Sequence, residues 1–408
     1  METILQHAQG LVYSLLGLMP SSYQKASLKA LFGLFLEQQG HALPEHTPIK
    51  SASSLSRFLN HAARTRRSSS TTTGGHSPSH WSTRQVIRAT RHAVLQQLLA
   101  HPPHHNVPVR ILIDLTTLPK TGKFLHLSAP NRNFNHSDRW VRILNGKREL
   151  HLVVLYVIVG NWQVPWSFRV WRGKGQHSPA QLACKLLRTV PKSLVKNRTI
   201  IVHADTEFGT TEVLNAVHRR AWRAVVGVRC NRKLKDGRRL KDLYRHAQRG
   251  LLVQLQNVDY PLTLSWFWLK RADGKRELRF VASTYPYSGV YLVRLGKKRW
   301  AIESFFKTIK HQFGLHCFGQ NTKLGVYRWL ILSLIAYLLA HWMIQSSQPT
   351  FLSWKTICPL ALKTLFPSIA WLRLLKYLRA QTDIAAVYGF EIVLNPLPDW
   401  TYKDWCKI

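Results

Sequence analysis

Acidic residues are what this sequence has least of. Only 19 Asp and Glu stand against 58 Lys and Arg in 408 residues, a formal net charge of +39. Such an excess opposes compaction unless an anionic partner offsets it. Nucleic acid is the usual one, because each neutralised phosphate releases condensed counterions; a membrane surface is the rival polyanion. Cysteine is also scarce. Cys184, Cys230, Cys317, Cys358 and Cys406 are odd in number and widely spaced, with no C-x-x-C pair. That argues against a disulfide framework or a zinc finger and fits a reducing cytosol. The N-terminus lacks the basic n-region and small-residue cleavage site of a signal peptide. Long apolar runs are missing but for Trp329 to Ile344, which is short for a bilayer span and contains Ser333 and His341. A buried helix is expected there, and no membrane partner. Apolar residues in general are not lacking. At 45% hydrophobic and 11% aromatic the chain has enough for a core, which rules out wholesale disorder, and its length suggests two or three domains.

Residues 1–105 read as a helical, candidate DNA-binding region. Leu28, Leu31, Phe32 and Phe35 recur at helical spacing, with Gly40 closing the run. A short helix fits SASSLSRFLNHAAR with Ser53 as its N-cap. Ser68 to Pro78 reads as a low-complexity loop, and another helix runs from about Thr83 to Ala100. A small DNA-binding bundle and a packing domain with a basic surface both fit this pattern. From about Val107 the character changes. RILIDLTTLP is an apolar strand holding one acid. ELHLVVLYVIV and WQVPWSFRVW flank Gly160-Asn161 as a hairpin. A helix capped by Ser178-Pro179, the strand TIIVHAD, a helix opened by Thr210 or Thr211 and the strand WRAVVGV follow. This order predicts a mixed α/β sheet in which the first and fourth strands lie side by side. Residues from about 230 to 290 are basic and then β-rich, with a hairpin around Asp273-Gly274, and read as an insertion. A long amphipathic helix resumes near Lys297. Residues 106–345 thus form one expected domain, and residues 346–408 a basic helical region.

With acids so few, their positions are informative. Asp114 is the only one between Glu45 and Asp138, and it lies inside an apolar strand. A buried carboxylate needs a cation or a metal beside it. Asp205 follows IIVHA at the carboxyl end of its strand, where open α/β sheets place their sites. Strands about 4.8 Å apart would let the two share a divalent cation. Glu303 lies on a helix whose buried stripe is Ile302, Phe306, Ile309 and Phe313. A second stripe carries Arg299, Glu303, Lys307 and Lys310. Three carboxylates around two Mg²⁺ ions, with Mn²⁺ as substitute, are the arrangement for in-line phosphoryl transfer. For each acid a structural role is the alternative: a hydrogen-bonded buried Asp, a turn Asp, a surface ladder of ion pairs. Glu207 is a rival to Asp205, and His101, His104 and His105 a weaker metal-binding cluster. His203 orients a neighbour or simply packs. The run Arg229 to Lys241 reads as a DNA-backbone track.

The helix resembles the Y-x2-R-x3-E-x6-K signature of the insertion-sequence-four group of DDE transposases. Arg299, Glu303 and Lys310 match its R, E and K, while Gly296 stands at the tyrosine position. Asp114 in ILIDLTTL and Asp205 in HADTEFG resemble the two catalytic aspartates of that family. The resemblance implies an RNase H-like domain with a β-rich insertion that cuts transposon ends and joins their 3′-hydroxyls to a target. It further implies phosphate contacts from Arg299 and Lys310, with Lys307 on the same stripe. In some relatives a tryptophan of the insertion stabilises a flipped base. Trp266 and Trp268, two apart on a strand and so sharing a face, are the candidates, packing of the insertion being the alternative. The implied partners are double-stranded DNA and a second copy of the chain in the DNA complex. The implied place is the cytoplasm, at the nucleoid. A metal-dependent nuclease without strand transfer and a catalytically inactive DNA-binding descendant remain as the other readings.

Overall fold

Val, Ile and Leu crowd the segment after Val107, and there a mixed sheet forms. In the computed structural model of the chain the described residues are 2–37, 47, 49–61, 80–100, 107–121, 127, 140–144, 146–173, 175–244, 250–270, 273–346 and 353–393. Gly40, the Ser68 to Pro78 stretch, and His101, His104 and His105 lie outside them. Two units divide the chain, one made of residues 100–307 and the other of residues 1–99 with 308–408.

The unit 100–307 holds strands β1 (Val109–Lys120), β2 (Val141–Leu144), β3 (Lys147–Val159), β4 (Trp162–Trp171), β5 (Ile200–Ala204), β6 (Arg223–Val228), β7 (Leu251–Val253), β8 (Leu262–Lys270) and β9 (Arg276–Ser283). They form one sheet in the order β2-β3-β1-β5-β6-β9-β8-β7, with β4 also paired to β3. The first and fourth strands read from the sequence, β1 and β5, are parallel neighbours, as expected, and β6 continues the parallel run. Ile111, Leu112 and Ile113 are fully buried, the mark of a strand covered on both faces. The β3–β4 hairpin reverses at Gly160, whose φ of 58° suits glycine. Beyond β6 the β-rich segment does not stand apart. Its strands β9, β8 and β7 extend the same sheet.

Helices connect the parallel strands. Ser178 caps Pro179–Leu187 in a full capping box with Gln181, and Thr210 caps Thr211–His218. The long helix expected from near Lys297 is the last of three pieces: a helix Gly289–Lys297, which the sequence reading does not include, a 3-10 turn Lys298–Trp300, and a helix Ala301–His311. Leu292 and Leu295 of the first piece pack on Ile201, Val225 and Val281 of the sheet. The ring of Phe305, in the third, stacks on Tyr156 of β3 with centroids 4.4 Å apart. Both helices thus seat on the sheet, one on each side of the 3-10 turn.

The other unit is helical. Its elements are Glu2–Gly17, Ser22–Glu37, Ala52–Asn60, Thr83–Ala100, Lys323–Ser346, Trp354–Leu365, Pro367–Ala380 and Thr382–Val387. Leu28, Leu31, Phe32 and Phe35 are all buried, as their spacing predicts. The N-cap of Ala52–Asn60 is Ser51 rather than Ser53. Its hydroxyl accepts the amide of Ser54, so the helix begins two residues earlier than the sequence suggests. Lys323–Ser346 contains the one run among the described residues long and apolar enough to cross a membrane, and most of that run is buried inside the fold. An all-round apolar helix is what a core needs. Arg328, near its start, is almost fully buried. It donates to Phe58, Leu59, His61 and Trp81 carbonyls and to the Thr83 hydroxyl, with its guanidinium 3.9 Å from the Trp81 ring centroid. One cation thus satisfies the orphan carbonyls at the end of Ala52–Asn60 and fixes the start of Thr83–Ala100.

Candidate functional site

The parallel register decides where the two aspartates meet. Ile113 of β1 pairs with Ala204 of β5, so Asp114, midway along β1, is level with Asp205, just past the carboxyl end of β5. Ile201, of the same parity on β5 as Asp205, packs on the helix Gly289–Lys297. Both acids therefore face the side of the sheet that carries this helix and its continuation. Asp205 is held in a turn: its Oδ1 accepts the amide of Glu207 at 2.9 Å. A glycine beneath makes that turn possible. A Cβ on Gly227 would stand 2.8 Å from the Thr206 nitrogen and 3.1 Å from the Asp205 carbonyl carbon, too close for any side chain.

Glu303, in the first turn of Ala301–His311, joins Asp114 through Arg299. The guanidinium donates through Nη1 to Asp114 Oδ2 at 2.8 Å and through Nη2 to Glu303 Oε1 at 2.6 Å. Its side chain is only 17% exposed, and that of Asp114 11%, against 44% for Glu303. Burial, first, and then the charges of Asp205 and Glu303 push the Asp114 carboxyl up to about 7, against the pull of Arg299 and the Leu115 amide. Two carboxylates thus share a single arginine, and the charge of the third, Asp205, bears on Asp114. His203, two residues before Asp205 and fully buried, is driven down to about 3 by burial and by Arg110, Lys298 and Arg299. It is a neutral packing ring beneath the acids.

A cavity of about 310 Å³ opens over Asp205, Arg299 and Glu303. Phe267, Leu269, Arg279 and Trp300 wall it, and Gly296 lies in its lining. Trp266 and Trp268 do not line it. Alternation along β8 turns Phe267 and Leu269 toward the acids and the two tryptophans away. Trp266 is buried against Phe280, and Trp268 is half exposed with its edge on Tyr244. β8 reads LTLSWFWLK, apolar on both faces, so no sequence signal tells which face turns inward. Glu207 does not line the acid cavity. It lines an adjoining one of about 420 Å³ together with Thr206, Thr210, Thr211, Arg229, Asn231 and Lys233. Burial and the charge of Asp205 raise its carboxyl. Lys307 is exposed one turn beyond Glu303. Lys310, in the last turn of the helix, is half-buried, and burial lowers its ammonium.

The donor chemistry suits a hard divalent cation: oxygen only, anionic and self-repelling. As the side chains stand, with Arg299 between two of the acids, no group of three or more His, Cys, Asp or Glu among the described residues is gathered to hold one.

Residues 106–339, more than half of the chain, match the model of the Transposase DDE domain. The chain belongs to the DDE transposase family. The matched span takes in Asp114, Asp205 and Glu303 together. Among curated proteins none matches this DDE chain. Among solved structures one match is the piggyBac transposase in a synaptic complex with hairpin DNA, 11% identical, with a TM-score of 0.46 over 93% of this chain and 78% of that one.

Proposed function

We infer that this member of the DDE transposase family cuts DNA at the ends of its own mobile element and joins the freed 3′-hydroxyls to a target, with Asp114, Asp205 and Glu303 as its catalytic acids. The single observation that carries this reading is the convergence of those acids, so rare in a chain of +39, midway along β1, at the carboxyl end of β5 and on one facing helix. The five-strand portion β4-β3-β1-β5-β6 suits the RNase H-like domain expected of the insertion-sequence-four group. The fit of Arg299, Glu303 and Lys310 to the R-x3-E-x6-K spacing supports membership of that group.

Asp114, Asp205 and Glu303 would hold two Mg²⁺ ions, with Mn²⁺ as substitute. When bound, such a pair activates the attacking oxygen and stabilises the leaving one. The chain's own groups supply the rest. The Glu207 amide fixes the Asp205 carboxylate. Neutral His203 supports the strand end without adding charge. Phe267, Leu269 and Trp300 form an apolar wall that keeps water from the reacting phosphate. Lys307, and Lys310 one turn on, suit phosphates of the bound strand, as do Arg229 and Lys233 in the adjoining cavity. In the helical unit Arg84, Arg88 and His92 form one exposed stripe on Thr83–Ala100, a surface suited to the DNA backbone. Paired element ends require two copies of the chain. The parity of β8 favours Phe267 over Trp266 or Trp268 for contact with a base near the acids.

Strand transfer is tested by incubating the protein with Mg²⁺, pre-cut element ends and a supercoiled plasmid. Plasmid joined covalently to the ends is the expected product. Nicked plasmid with no joined product would instead assign a plain nuclease.

A further inference from the structure

The one arginine between the acids is engaged twice, and it stands between two carboxylates that a shared metal would bridge. Arg299 holds Asp114 at 2.8 Å and Glu303 at 2.6 Å with separate nitrogens, and it is mostly buried there. The other carboxylate oxygen of Asp114 accepts the Leu115 amide at 2.8 Å. A divalent ion shared by Asp114 and Glu303 would sit between the two carboxylates, where the guanidinium now bridges Oδ2 and Oε1. It would also place its double charge within a few ångströms of a positive one. Arginine and metal therefore compete for the same pair.

The guanidinium has another destination. It lines the 310 Å³ cavity over the acids, and its planar fork binds phosphate as readily as carboxylate. A strand entering that cavity offers phosphate oxygens within reach of the same side chain.

We propose that Arg299 is an exchangeable counter-ion that couples metal binding to DNA binding. Without DNA it neutralises Asp114 and Glu303 and holds off divalent ions; a DNA phosphate draws it away and frees both acids to ligate. The coupling is reciprocal, so the metal also tightens DNA binding. The consequence is an enzyme that assembles its reactive centre only on its substrate. The proposal rests on the reading of the three acids as metal ligands.

The test is Mn²⁺ binding to the full chain, followed by loss of the free-ion paramagnetic resonance signal. It compares wild type, Arg299→Gln, Arg299→Lys and Asp205→Asn, each with and without a short duplex of the sequence bordering the gene. Arg299→Gln should bind Mn²⁺ about tenfold more tightly than wild type when DNA is absent. The duplex should tighten wild type by a similar factor and leave Arg299→Gln unchanged. Arg299→Lys keeps the charge without the fork and should fall between, which covers the case of a misfolded glutamine variant. Equal Mn²⁺ affinity in wild type and both Arg299 variants without DNA, with Asp205→Asn abolishing binding, overturns the exchange but keeps the metal site. Mn²⁺ binding that Asp205→Asn leaves intact, or its absence even with DNA, overturns the metal site itself.

Discussion

At the scale of single residues, the acids show both what the sequence reveals and what it conceals. Asp114 was conspicuous because it is the only acid in a long basic stretch and sits among Ile, Leu and Val. Its pairing with Arg299, 185 residues away, left no local trace, since only the i,i+4 partner Glu303 falls at a readable spacing. The energetic consequence is specific. An Asp raised from its ordinary 3.8 to about 7 binds its proton more tightly folded than unfolded. Its ionisation costs the fold nothing below about pH 4, and the cost grows as pH rises and is complete above about 7. Asp114→Asn keeps the acceptor for the Leu115 amide and removes that cost. The variant should melt at a higher temperature than wild type at pH 8, by roughly one to a few kcal/mol of stability, and the two should converge near pH 4. Thermal unfolding across this range checks it, and a variant less stable than wild type at pH 8 would contradict the burial argument.

At the scale of elements, strands and caps were legible and seating was not. Ser178 and Thr210 cap their helices as read, and Thr83–Ala100 has the expected bounds. The break at Lys298–Trp300 was invisible because nothing in LGKKRWAIES forbids a continuous helix. It arises from two apolar stripes that must each meet the sheet. The inward face of β8 was equally hidden, both faces being apolar. The same holds for Arg328, which looked like one more cation in a basic chain and proves to be the bond between Ala52–Asn60, Thr83–Ala100 and Lys323–Ser346. Replacing it removes five donated hydrogen bonds and leaves buried carbonyls unpaired. Arg328→Met should cost about 3 kcal/mol or more in denaturant unfolding. Arg328→Lys should not restore it, for lack of the planar fork. A loss under about 1 kcal/mol would mean that the carbonyls find other partners.

At the scale of the whole molecule, a charge of +39 pointed to a polyanion before any motif was considered, and membership of the DDE transposase family gives that charge a use. Composition, though, distinguishes neither a cutting enzyme from a binding protein nor one strand contact from another; only the gathering of the three acids does. The most direct measurement is therefore cleavage of a duplex of the sequence bordering the gene, in Mg²⁺, by wild type, Asp205→Asn and Glu303→Gln, with DNA binding followed in parallel without divalent ions. Wild type should cut at the element boundary, while both variants bind the duplex as wild type does when divalent ions are absent and lose cleavage by at least about a hundredfold. Cleavage at the wild-type rate by either variant, or by wild type in excess chelator, would contradict the assignment.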